Sequence, residues 1–309
     1  MDTITSVPAV GIALAVASAL ALAGGNLLQG RGVRRMETRV ARSGGSRVLH
    51  LVRNRWWLTG GILLGLSIAL QMAALAFAPL IVVQPVGVTA LVFTVLLTAW
   101  VARAAPSGAV IRAITMSTGG VALFVLVAAL VSSQSAITDG QLIAVLVTLG
   151  GVLAITAAVV IAARGRLMPP LAWVILGGVY SAFVATLGKT VILRVQQILS
   201  AGRFTVDRTD VLTAACLVGI GVAGGLSVYF VQRAHAANKA DVVVAGLTVI
   251  DPAVAVLLGI TILGEASGAP WWAGPAFAAA GAIAVGGVFL LSRADAASTV
   301  TEAGARARA

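Results

Sequence analysis

Nine continuous apolar runs constrain this chain more than any other feature. They cover roughly residues 7–29, 57–78, 80–101, 109–131, 141–163, 170–191, 211–231, 242–263 and 271–291. Crossing ~30 Å of hydrocarbon takes about 20 helical residues, so each run is long enough to span a bilayer. Barrel strands would show about 10 residues of alternating character instead. With 60% hydrophobic and 10% charged residues, the chain has too little polar surface for a soluble fold. The expected fold class is therefore an all-α polytopic membrane protein with about nine transmembrane helices. The first run follows MDTITS, which has no basic residue and carries Asp2, so it reads as a retained span and not a cleaved signal.

The loops set the expected orientation. The segment 30–56 holds Arg31, Arg34, Arg35, Arg39, Arg42, Arg47, Arg53 and Arg55 against one acid, Glu37. Basic loops stay in the cytoplasm, and alternation places Arg103, Arg164, Arg166, Arg233 and Lys239 on the same side. Loops 132–140 and 264–270 contain no Lys or Arg, and Asp207 and Asp210 accompany Arg203 and Arg208. This predicts an outer N-terminus and an inner C-terminus in the cytoplasmic membrane. The net charge of +11 thus reports topology and anionic lipid, and no nucleic-acid partner is expected. Trp56 and Trp57 stand where interfacial anchors stand. The tail 293–309 is expected to be disordered. The lone cysteine, Cys216, excludes an intramolecular disulfide.

Two polar–proline pairs point to an internal repeat. Gln84-Pro85 and Asp251-Pro252 are 167 residues apart, and so are Gly119-Gly120-Val121 and Gly286-Gly287-Val288. With the expected topology the two copies run in opposite directions. Inverted repeats flanking a midplane site are a signature of secondary transporters. The expected organisation is a four-helix first repeat (1–135), a five-helix second repeat (136–292) and the tail (293–309).

The run Asp251-Pro252, Gly259, Leu263-Gly264-Glu265 and a glycine-rich last helix resembles the EamA-type half of the drug/metabolite transporter superfamily. Leu70-Gln71, Ala73-Ala74, Ala78-Pro79 and Val83-Gln84-Pro85-Val86-Gly87 resemble its nine-span branch of actinobacterial and NIPA-type proteins. The resemblance implies two inverted EamA-like repeats around a central cavity, and it implies no particular substrate. Thr98 stands where the first half of that family often carries a glutamate.

Several residues are candidates for a pathway. Asp251 leads, because an ionised carboxylate inside the membrane is unfavourable unless paired or hydrated, which suits a group that takes up and releases a proton. Its structural alternative is a helix-to-helix hydrogen bond. Pro252 and Pro85 each free a carbonyl one turn back. Gln84 can donate and accept without titrating. Gln71, Asn26 and Tyr180 rank lower. Lys189 would snorkel to the interface, pair with Asp251 or meet an anionic substrate. Glu265 and Arg112 are expected at rims, solvated, with a gate contact as the second reading. Gly188-Lys189-Thr190 mimics the end of a phosphate-binding loop, but Phe183 stands where that motif needs glycine. His50 and His235 are isolated loop residues, and no metal site or cofactor is expected. Gly60, Gly61, Gly65, Gly177, Gly178, Gly221 and Gly225 offer small surfaces for close helix crossings.

The function these observations point to is secondary transport of a small polar or amphipathic metabolite by alternating access, with proton coupling through Asp251 as a hypothesis. A NIPA-like magnesium or cation transporter is one alternative. A lipid-handling or accessory envelope protein is another. No nucleophile–base pair marks an enzyme. The partners expected are an unidentified small molecule, the bilayer and a proton. Monomer and homodimer both stay open.

Overall fold

A computed structural model describes residues 7–43, 54–103, 105–134, 136–162, 168–201 and 208–306. Ten α-helices account for them: α1 Pro8–Ser43, α2 Arg55–Phe77, α3 Leu80–Gly87, α4 Thr89–Ala102, α5 Gly108–Val131, α6 Asp139–Ala162, α7 Pro170–Ala201, α8 Arg208–Ala237, α9 Ala240–Thr261 and α10 Ala273–Arg306. Among the described residues nine segments are long and apolar enough to cross a membrane, with α3 and α4 together forming the third. The protein is an all-α, multi-pass membrane protein.

The helices pair in a definite order. α1 packs on α2, α7 on α8, and α5 on α10, while α9 rests on α7 and on α3. α6 lies against α8 and, to a lesser degree, α7. With lipid outside, such pairs are held by close packing and by polar contacts between helices. The α1–α2 crossing shows both. Ser18 Oγ donates to Ser67 O at 2.8 Å and Ser67 Oγ donates to Ser18 O at 3.0 Å. A Cβ on Gly60 would stand 2.8 Å from Gly25 O, so the two backbones touch where a side chain would separate them. Gly177 and Gly178 likewise meet α8 and α9 side chains. Gly65, Gly221 and Gly225 have open space where a Cβ would go, so the packing role expected of them is corrected.

The tightest crossing joins α5 and α10. A Cβ on Gly120 would strike the backbone of Ala284, and one on Gly287 would strike the backbone of Ser117. Gly120 and Gly287 are 167 residues apart, and so are Ser117 and Ala284. The two contacts therefore exchange under the offset read from the sequence.

Three expectations change. The third span is interrupted at Val88, whose N–H bonds Pro85 O and Val86 O between α3 and α4. Pro252, by contrast, lies inside an unbroken α9. The residues after Ser292 were expected to be disordered, yet α10 continues to Arg306. That tail is rich in alanine, the strongest helix former, and it follows directly on a formed helix. α1 also overshoots its expected end and runs to Ser43. The part of the Arg-rich loop with Arg47, His50 and Arg53, the loop with Arg164 and Arg166, and the loop with Arg203 and Asp207 lie outside the described residues.

Candidate functional site: a proline-lined cavity and a buried latch

A cavity of about 300 Å³ lies between the third, fourth, eighth and ninth spans. Pro85 and Pro252 both line it, together with Val121 and Val288. Each of these pairs is separated by 167 residues. Phe124 and Phe277 also line it, their ring centroids 4.8 Å apart. Thr248 is the one polar side chain in the lining. Its hydroxyl donates to Val244 O at 2.7 Å. Its own carbonyl is the one that Pro252, lacking an N–H, leaves without the regular helical bond. The cavity is therefore an apolar chamber with a small backbone polar patch on α9, suited to a solute that is mostly apolar with one or two acceptor-seeking groups.

The two residues preceding the cavity prolines do not line it. Gln84 is 7% exposed, and its side chain has no hydrogen-bond partner among the described residues. Asp251 points at α7. Its Oδ2 accepts from Ser181 Oγ at 2.6 Å, while Oδ1 is buried without a partner. A Cβ on Gly178 would lie 3.3 Å from Asp251 N, so α7 presses closely on α9 here. The expectation that Asp251 sits with the solute is thus corrected: Asp251 bridges two helices and leaves the chamber wall to Pro252. Beside each chamber proline the preceding polar residue, Gln84 or Asp251, stays out of the lining.

A second polar centre is fully buried. Lys189 is 1% and Glu265 3% exposed, with Lys189 Nζ 3.5 Å from Glu265 Oε1. Lys189 Nζ also donates to Leu75 O at 3.2 Å, Ala78 O at 2.5 Å and Gln134 Oε1 at 3.2 Å. Glu265 Oε1 accepts from Leu80 N at 2.7 Å and Oε2 from Ile81 N at 2.9 Å. The carboxylate thereby caps α3, whose first N–H groups have no intrahelical acceptor and lie at the positive end of the helix. The local sequence makes this possible. Gly264 turns the chain with φ 69°, and a Cβ on Gly259 would crowd Glu265 Oε2 at 2.9 Å. The Gly259, Gly264-Glu265 spacing is the recipe for folding this carboxylate back over its own helix end.

This latch corrects two sequence expectations. Lys189 does not snorkel and does not pair with Asp251, because it is spent on two carbonyls, Gln134 and Glu265. Glu265 is not solvated, because the start of α3, Lys189 of α7 and Gly259 of α9 enclose its carboxylate. Gln134, which the sequence reading passed over, completes the centre and donates to Ala76 O at 3.3 Å. The readable signal was slight: Lys189 is one of only two lysines, and Glu265 lies in a loop without basic residues.

The remaining candidates scatter. Tyr180 is buried, donates to Thr156 Oγ1 at 2.9 Å and stacks on Phe230, so it packs and does not line the chamber. Gln71 is half-buried and Asn26 and Arg112 are exposed, all away from the chamber lining. His235 is exposed. Among the described residues no three of His, Cys, Asp and Glu come together as a metal site would require. Comparison with known proteins yields no matching family model, no matching curated protein and no matching solved structure.

Proposed function

We propose that the protein is a secondary carrier of the EamA-like inverted-repeat type, moving a small amphipathic solute across the cytoplasmic membrane by alternating access. One observation carries this reading. The chamber lies between two prolines 167 residues apart, beside a helix crossing whose contacts exchange under that same offset. A site at the junction of two related halves is where an inverted-repeat carrier holds its solute. The latch is the natural closure at one end. It joins the start of α3 to the loop after α9, so the N-terminal end of one span is tied to the C-terminal end of the other. The apolar lining favours an amphipathic over a strongly polar solute, and it disfavours the cation alternative, because Mg²⁺ keeps oxygen ligands or waters throughout.

The test is solute counterflow in proteoliposomes, comparing uncharged amphipathic compounds with strongly polar ones. Gly281 lines the chamber facing Phe124. The substitution Gly281→Trp fills that space and is expected to reduce flux about tenfold or more while the protein remains monodisperse. Flux unchanged by Gly281→Trp places the pathway elsewhere. A second reading, lipid handling, is favoured by one observation: chamber residues Ala253 and Ala278 are exposed on the bundle surface. Rapid transbilayer movement of labelled lipid, without counterflow of any soluble compound, would select it.

A further inference from the structure

At the Arg-rich end of the bundle an open groove of about 690 Å³ runs between α1 and the end of α4. Arg31 of α1 lines it together with Trp100 and Arg103 from the end of α4. Neither arginine has a carboxylate partner among the described residues. Positive charge accumulates beside the groove. The guanidinium carbons of Arg31, Arg35 and Arg55 lie 6.0, 5.0 and 5.6 Å from the centre of the Trp56 ring. Arg103 has φ 52°, the one non-glycine positive φ among the described residues. A helix end of this kind normally takes glycine, which avoids the side-chain clash. An arginine is held there despite that strain. Trp100 is 78% exposed and Leu96, one turn earlier on the same face, is 42% exposed.

We infer that this groove is a binding site for the phosphate of an anionic phospholipid. Arg31 and Arg103 grip the phosphate oxygens, as guanidinium forks do. Trp100 sits at the level of the glycerol backbone, and an acyl chain runs down past Leu96. The site explains why these arginines are tolerated without a protein carboxylate: the counter-charge comes from the bilayer. It is separate from the chamber and holds whether or not the protein carries a solute.

The experiment is lipid retention by the purified full chain, read by mass spectrometry after exchange into nanodiscs of equal phosphatidylglycerol and phosphatidylcholine and re-extraction in mild detergent. The wild-type protein is expected to retain phosphatidylglycerol selectively. Arg31→Gln and Arg103→Gln each lower that retention about fivefold, and the pair roughly 25-fold. Arg293→Gln, exposed on α10, leaves it unchanged. If the double variant does not fold, the exposed Arg103→Gln alone carries the test. Equal retention of both lipids, or retention unchanged in Arg103→Gln, overturns the inference. Inorganic phosphate is added as a competitor: no displacement at millimolar concentration supports a lipid site, and displacement of the retained lipid by it overturns a lipid site in favour of a free-anion site.

Discussion

Glu265 serves two positive partners at once, the ammonium of Lys189 and the amide end of α3. In a buried pair the two members are not equivalent under mutation, because removing one leaves the other charged and unpaired. Lys189→Met should destabilise the protein by about 3–5 kcal/mol, since Glu265 would keep only its two amides. Lys189→Met with Glu265→Gln should be less harmful than the sum of the single changes, because no lone charge remains. Thermal melting of the four proteins in one detergent measures this coupling. Additive losses would show that the two residues act separately. Asp251 makes a smaller claim. Asp251→Asn keeps an acceptor for Ser181 and should shift stability by less than about 1 kcal/mol, whereas Asp251→Leu strands the hydroxyl and should lose about 1–3 kcal/mol. Because Asp251 lies off the chamber wall, flux in Asp251→Asn should keep its pH dependence. Loss of that dependence would return the carboxylate to a proton pathway. At this scale the sequence was least informative. A membrane-embedded acid announces itself, but its partner does not: Leu80 and Glu265 are 185 residues apart.

The helices were far more legible than their partners. Continuous hydropathy marks a span whatever surrounds it, so nine segments could be placed from composition and length. What failed were the places where a neighbour decides. Pro85 comes three residues before the interruption of the third span, whereas Pro252 is absorbed by α9, because a broken ladder bond is tolerated where nearby packing and polar groups compensate. Glycine, too, reads alike in every span, but only some glycines meet a backbone. Gly120 and Gly287 do, and this gives a sharp prediction. Gly120→Leu and Gly287→Leu should each force α5 and α10 apart and prevent recovery of a monodisperse protein, whereas Gly65→Leu, with open space around it, should be tolerated. Size-exclusion profiles of the three variants decide it. Similar profiles for all three would mean the crossing is not the tight one described.

At the scale of the whole molecule, the offset of 167 residues is the thread. It was visible as two short matches, Gln84-Pro85 with Asp251-Pro252 and one glycine pair with another. Folding brings both prolines to one chamber and sets one glycine of each pair, Gly120 and Gly287, into one crossing, so an arithmetic coincidence becomes a spatial relation. The sequence could not show that the polar partners of those prolines turn away from the chamber, because the direction of a side chain depends on which helix is next to it. Nor could it show the latch, which needs four segments in place at once. The central claim is that the chamber opens alternately to the two sides and that the latch closes one of them. Val249 lines the chamber, and Cys216 is the lone native cysteine. The direct measurement is the labelling of Val249→Cys, in a Cys216→Ala background, by a membrane-impermeant maleimide applied to right-side-out and to inverted vesicles. The account predicts labelling from both sides, and faster labelling from the latch side when Glu265→Gln is added. Protection from both sides, or labelling from one side that Glu265→Gln does not alter, would contradict it.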